Sequence, residues 1–262
     1  MDYASVLWIA IGLSAGMCVA WTVQRHTGNS GWIDTIWSFS VGAGGIAATW
    51  SASGDPARRM AIAVILAVWS ARLALHIAAR SRGSGEDPRY RKMIEDWGQR
   101  ASLRLFIFLQ VQALVAFVLV LSVSCAGMNE KTFPRLLDYL GVLLALLAIG
   151  GEAVADQQLA SFRQSRRAKN EVCEIGLWRY TRHPNYFFEW LFWCAWPFFA
   201  LPHISGLIAL SAPLLMYWLL VHLSGIPPLE AHMERSRGEE FRALKERVNA
   251  FFPGPRKGGS RN

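Results

Sequence analysis

The stretch GLWRYTRHPNYFFEWLFW, residues 176–193, sets three basic side chains and a proline directly ahead of an apolar run that itself carries an amide and a carboxylate. Pro184 suits the first turn of a helix, where its missing N–H is no loss. Asn185 and Glu189 are four residues apart and therefore share one face of that helix. A carboxylate about one turn inside a membrane helix costs about 3 kcal/mol unless it is paired or wet. The face is expected to line a polar cavity, with Arg179, Arg182 and His183 at its mouth.

Composition says that the surrounding helices belong in a membrane. The chain has 262 residues, 53% hydrophobic and 18% charged, with 12 Trp, which is too apolar for a soluble domain and short for two. One all-α membrane domain over 1–262 is expected. Apolar runs long enough to cross about 30 Å of hydrocarbon fall at roughly 4–23, 32–51, 60–79, 105–127, 136–157, 185–201 and 204–223, which predicts seven transmembrane helices. The first run has no basic residue before it, so it reads as a mature helix rather than a signal peptide. After the last run, Pro227 and Pro228 break the helix. The stretch 229–252 then predicts an amphipathic helix on the cytoplasmic surface, with Met233, Phe241, Leu244 and Val248 among many charges.

The basic residues give a separate test of the count. Seven spans place Arg25, seven basic residues from Arg80 to Arg104, six from Arg163 to Arg182 and eight after Ser224 on one side. The other side receives only Arg58, Arg59, Lys131 and Arg135, and Arg72 lies within a span. Lys and Arg accumulate in cytoplasmic loops, so the N-terminus is predicted outside and the C-terminus in the cytoplasm, with the loops of Arg89 and Arg166 inside and that of Lys131 outside. This distribution also explains the net charge of +8 without a nucleic-acid partner. The four cysteines form no CxxC pair and no His stands at metal-ligand spacing, so neither disulfide nor metal is expected.

Other polar residues also stand where they are expensive. In the second run Trp37 and Ser38 follow Asp34 by three and four residues, placing all three on one face. Asp34 needs a partner there: either it is an interfacial carboxylate facing water, with Trp32 and Trp37 as an aromatic belt, or it faces the cavity as an acid or a hydrogen-bond anchor. The third run carries Arg72, His76 and Arg80 as one basic stripe, which suits an anion or a buried ion pair. The loop GEDPRYRKM, 85–93, packs its charges densely enough for a lid or a locally paired turn. At the end of the fifth run Glu152, Asp156 and Arg163 fall near one helical stripe. Such carboxylates can accept hydrogen bonds from ribose hydroxyls, and arginines can hold phosphates.

Residues from Glu152 to Trp193 and from Leu229 to Pro253, with WIDTIW at 32–37, RLALHIAAR at 72–80 and GEDPRY at 85–90, resemble the steroid 5-alpha-reductase-like superfamily, in particular its bacterial branch of unknown function. The resemblance implies a seven-helix fold of the bacterial inner membrane that holds NADPH in a cavity open to the cytoplasm. It also implies reduction of a carbon–carbon double bond conjugated to a carbonyl. By this resemblance Asp156, Arg163, Asn185 and Glu189 look like the cofactor-binding positions, Arg72 resembles the arginine of the third span, and Tyr186 and Trp193 are similar in place. Glu152, Arg179, Arg182 and His183 join the cofactor set as neighbours in the same motif. The bare RHPxY pattern is shared with isoprenylcysteine carboxyl methyltransferases. Where steroid reductases carry a Gln-Glu pair on the second span and a tyrosine on the third, this chain has Asp34 with Trp37, and Trp69.

The leading expectation is an integral-membrane NADPH-dependent reductase of a lipophilic, steroid-like or isoprenoid enone, with Asp34 and Trp37 at the chemical end. Asp34 would be the donor to a developing enolate, or the orienter of that donor. A methyltransferase using S-adenosylmethionine and a non-catalytic lipid-binding membrane protein are the alternatives. The number of arginines favours a cofactor that carries phosphates.

Overall fold

The computed structural model describes residues 2–84, 87–165, 171–201 and 205–257. Gly85 and Glu86 of the GEDPRYRKM loop, Arg166 and Pro202 lie outside the described residues. All described elements are helical. α1 (Tyr3–Thr27) starts where the Asp2 carboxylate accepts the Ser5 N–H at 2.8 Å and stops at Gly28, whose φ of 64° suits a residue without Cβ. α2 (Gly31–Trp50) and α3 (Pro56–Ser84) follow, then α4 (Pro88–Trp97), a one-turn 3-10 helix at Gly98–Arg100, α5 (Ala101–Gly127) and α6 (Leu136–Gln164).

Five helical stretches are long and apolar enough to cross a membrane: Tyr3–Thr27, Pro56–Arg82, Arg89–Gly127, Leu136–Gln164 and Gly206–Arg247. The second and sixth expected runs are not among them. α2 has the length, since 20 residues rise about 30 Å, but Asp34, with the tryptophans, glycines and serines around it, lowers its hydropathy. The sixth run is broken. α7 (Pro184–Trp193) stops four residues before Pro197, whose ring would clash with the Trp193 carbonyl, and α8 (Trp196–Ala200) restarts with that proline in its first turn. The seventh is broken for the same reason: Pro213 separates α9 (Ser205–Ala209) from α10 (Ser211–Trp218), which runs on into a π-helical turn at Leu219–Leu223.

The last helix, α11 (Ile226–Arg247), begins on Pro227 and Pro228 and is kinked at Gly238, where φ is 53° and ψ −121°. Its apolar stripe was expected on the membrane surface. Instead Phe241, Leu244 and Val248 pack with Val172 into a small core, with Met233 against it. Protein rather than lipid covers that face.

The chain forms two compact units, Met1–Val142 with Ala195–Ala212, and Leu143–Cys194 with Pro213–Asn262. In the first, α2 packs against α1, α3 and α5. Small residues permit this closeness: a Cβ on Gly16 would meet the Ser40 hydroxyl at 2.4 Å, and one on Gly42 the Ser70 hydroxyl at 2.2 Å.

The loops of this unit gather at two ends. At one, Gly54 and Asp55 donate backbone N–H bonds to the carbonyls of Gly127 and Asn129. There Arg58 makes two bonds to Asp138, at 3.0 and 2.8 Å, and donates to the carbonyls of Asn129 and Lys131. At the other end Asn29 donates to the Ser81 carbonyl at 2.9 Å and Trp21 to the Ser102 carbonyl at 3.0 Å. Arg58, Lys131 and Arg135, expected on one side of the membrane, thus come together at one end.

Candidate functional site

In the first unit Asp34 is the centre of a polar node. Its Oδ1 accepts the Tyr90 hydroxyl at 2.7 Å and its Oδ2 accepts Arg89 Nη2 at 2.7 Å. The Tyr90 oxygen accepts in turn from Gln112 Nε2 at 3.1 Å, so the tyrosine proton points at the aspartate. Trp37 donates its indole N–H to the Gln112 backbone carbonyl at 3.3 Å, which ties α2 to α5 beside the node. Arg89 is shared: it also forms bonds of 3.0 Å to both oxygens of Asp87, and Arg80 stands 3.7 Å from the same carboxylate. Burial works to raise the Asp87 carboxyl, but the charge and hydrogen bonds of Arg89 outweigh it and hold it below the usual range.

The GEDPRYRKM stretch is what builds this node. Asp87 caps α4 by accepting the Arg89 N–H at 2.9 Å, and Pro88 opens the helix. With the helix start fixed, Arg89 and Tyr90 leave its first turn toward Asp34. Tyr90 is buried and meets Phe108 edge-on, with ring centroids 6.3 Å apart. Arg72 lies in the same unit, half-buried on α3, with His76 one turn further on. Trp69 is fully buried.

In the second unit Arg182 and His183 converge on one carboxylate that the sequence reading passed over. Arg182 Nε and Nη2 each lie 2.8 Å from Glu230 Oε1, and His183 Nε2 lies 2.9 Å from the same oxygen. Arg182 also donates to the Val248 carbonyl, and its own N–H to that of Asn249 at 2.9 Å. The Thr181 hydroxyl reaches the carbonyls of Ala250 and Phe251 at 3.0 and 2.9 Å. The RHP motif is thus a socket for α11 and the segment after it. Burial pushes the His183 imidazole below its ordinary value, more strongly than the Glu230 hydrogen bond raises it.

His183 stacks on Tyr186 at 5.6 Å, which links this socket to the first turn of α7. One turn further along α7, Glu189 is buried and accepts the Trp193 indole N–H at 2.9 Å, while Asn185 is half-buried. On α6 Glu152 and Asp156 are buried and Arg163 is exposed. Arg179 is exposed too, at the end of a 3-10 turn (Gly176–Arg179) fastened to α6. There Trp178 donates to the Ala155 carbonyl at 3.0 Å and Gln158 accepts the Leu177 N–H at 2.9 Å.

Of the residues singled out from sequence, the structure therefore groups Asp34 and Trp37 with Arg89, Tyr90 and Gln112, and groups Arg182 and His183 with Glu230. Gln112 left a signal, because an amide in the middle of an apolar run is costly and needs partners. Glu230 left a weaker one, as the first carboxylate after the two prolines that open its helix. Among the described residues no group of three or more His, Cys, Asp or Glu could hold a metal ion.

A family model described as "Protein of unknown function (DUF1295)" matches residues 20–248. The chain belongs to the DUF1295 family. That family is the steroid 5-alpha-reductase-like group, so the resemblance seen in the motifs extends over most of this DUF1295 chain. Among curated proteins, the uncharacterized protein C594.04c of Schizosaccharomyces pombe is similar. It is 24% identical over 271 residues, which covers 90% of this chain and 76% of the relative. No solved structure matches.

Proposed function

We propose that this protein is an integral-membrane, NADPH-dependent reductase of a conjugated carbon–carbon double bond in a lipophilic substrate. The observation that carries the reading is the Asp34 node, in which a carboxylate, a tyrosine hydroxyl and a guanidinium meet at one end of a unit of membrane helices. Its membership of a group associated with steroid 5-alpha-reductase-like enzymes supports the reaction class. NADPH, when bound, supplies the hydride.

This chain's own residues supply the rest. Of the sequence alternatives for Asp34, the node favours the orienter: its carboxylate holds the Tyr90 hydroxyl, which carries the transferable proton. Arg89, always charged, favours negative charge developing on a nearby carbonyl oxygen. Trp37 holds the backbone of Gln112, and the Gln112 side chain holds Tyr90. In the second unit the donor chemistry suits a nucleotide that carries phosphates. Exposed Arg163 and Arg179 can bind phosphate, while Glu152, Asp156, Asn185 and Glu189 offer acceptors and an amide to ribose hydroxyls and the nicotinamide amide. Arg182, His183 and Tyr186 would act through the placement of α7 rather than by touching the cofactor.

The topology we infer has seven crossings, with α2 as the second and the broken α7 and α8 as the sixth. It sets the N-terminus outside and the C-terminus in the cytoplasm, in a single membrane domain. The packing of α2 between α1 and α3, both long and apolar enough to cross, supports its inclusion. Alkaline phosphatase fused near Lys131 should be active and fused near Arg91 inactive, and the reverse result would overturn this orientation.

Titration of purified protein with NADPH and with S-adenosylmethionine tests the cofactor. NADPH binding is expected, followed by loss of its absorbance when hydrophobic enones are added. Binding of S-adenosylmethionine alone would replace the reductase by a methyltransferase, and binding of neither would leave a non-catalytic lipid-binding protein.

A further inference from the structure

At the end of the first unit that carries the Asp34 node, the basic residues divide into two sets. Arg89 and Arg80 pair with Asp34 and Asp87, and Lys92 with Asp96. Arg25, Arg82, Arg91, Arg100 and Arg104 pair with no carboxylate among the described residues. Of these, Arg25 lines a cleft. Its guanidinium lies 5.0 Å over the Trp21 ring and donates one N–H to the Ser102 hydroxyl at 2.9 Å. Trp21 is fixed independently, by its indole bond to the Ser102 carbonyl at 3.0 Å and by edge contact with Phe106. A cleft of about 370 Å³ lined by Trp21, Thr22, Arg25 and His26 opens beside this arrangement.

We propose that this cleft binds the phosphate group of an anionic phospholipid in the cytoplasmic leaflet. One N–H of Arg25 is taken by Ser102, which fixes the plane of the guanidinium and leaves further donors for phosphate oxygens. His26 adds a second donor. The ring of Trp21 is suited to the level where headgroups meet hydrocarbon. A lipid is favoured over a free phosphate by what lies along the same helix: Val19 and Ala15 of α1, within about 15 Å of Arg25 along the axis, are exposed and apolar, so the acyl chains of a bound lipid have a surface to lie against. A soluble anion would gain the Arg25 and His26 contacts but nothing from this apolar surface. The site uses neither nucleotide nor turnover and stands apart from the reductase reading; its leaflet alone rests on the orientation proposed above.

The test is native mass spectrometry of protein taken from membranes of equimolar phosphatidylglycerol and phosphatidylcholine. The wild type should retain phosphatidylglycerol preferentially, and Arg25→Gln should reduce that preference about tenfold, the effect of losing a hydrogen bond to a charged group. Arg91→Gln, the same charge change at the same end but outside the cleft, should leave it unchanged. Excess inorganic phosphate should not remove it. If Arg25→Gln does not fold, Ser102→Ala frees the guanidinium without changing the charge, and the preference should again fall. The proposal is overturned by equal retention of the two lipids, by equal losses in the Arg25 and Arg91 variants, by an unchanged preference when the cleft is altered, or by displacement with free phosphate.

Discussion

At one end of the first unit Arg58 meets Asp138 with neither side chain exposed, whereas at the other Arg89 meets Asp34 with 28% and 23% of their side-chain surfaces open. The chemistry of the two pairs is the same, yet their surroundings assign them different work. Arg58 is enclosed by backbone carbonyls and Asp138, and Arg135 adds further bonds to that aspartate at 3.1 Å. Both charges of the Arg58–Asp138 pair are turned inward, as befits a joint between loops. Asp34 instead shares its arginine with Asp87, holds a tyrosine proton and remains partly accessible. Partial exposure of the carboxylate together with a hydroxyl proton held on it separates a site able to do chemistry from a pair that only fastens the fold.

Substitutions can break that comparison. The largest effect is expected for Arg58→Ala, which strands Asp138 in a buried position and should destabilise the protein by about 3 to 5 kcal/mol, measured as loss of folded material in detergent. Rescue by a second change, Asp138→Leu, should recover part of it, because the buried charge disappears. Asp34→Ala and Asp34→Asn should lower turnover about a hundredfold with NADPH affinity within about threefold, since the residue acts on the reacting end. Tyr90→Phe should follow the same pattern. If Asp34→Ala keeps full turnover, the node is structural like the other and the contrast collapses.

Two smaller effects sharpen the contrast from the side of the second unit. Glu189→Gln keeps the shape and removes a charged acceptor. It should weaken NADPH binding by about 1 to 3 kcal/mol, seen by titration, with folding retained. The smallest effect concerns His183. Burial holds its imidazole below the usual 6.5, so on acidification the unfolded chain takes up the proton first. Its contribution is therefore constant above 6.5 and is lost as the pH falls below that value. Melting temperatures should decline on mild acidification in the wild type, and less steeply in His183→Gln.

The membrane class and most helix positions were legible because apolar runs and charge asymmetry are properties of the sequence itself. The starts of α3, α4, α7 and α11 follow from their prolines. The breaks at Pro197 and Pro213 were written in the chain as well, but hydropathy averages across a proline and so joins what the ring separates. The sequence placed Asp34 correctly on a helix and stated its need for a partner. The partners could not be read, because Arg89 and Tyr90 come from 55 and 56 residues away and only the capping of α4 by Asp87 aims them. Arg182 and His183 were assigned to the cofactor from their motif alone, without sight of Glu230. The stripe of Phe241, Leu244 and Val248 read as lipid-facing, since an apolar face does not reveal whether hydrocarbon or protein will cover it.

The socket made by Thr181, Arg182 and His183 also sets a timetable. Glu230 lies 48 residues after Arg182, and the carbonyls that complete the arrangement, at Val248 to Phe251, come later still. At about 5 to 20 residues per second, the guanidinium waits roughly 2 to 10 s after synthesis for its carboxylate, and the second unit is unfinished throughout that interval. A ribosome halted between these points would leave an arginine and a histidine beside the membrane with nothing to close on them. Such an arrested chain would lack more than its tail, because the arginine that the mature protein closes on Glu230 would stand as an open charge.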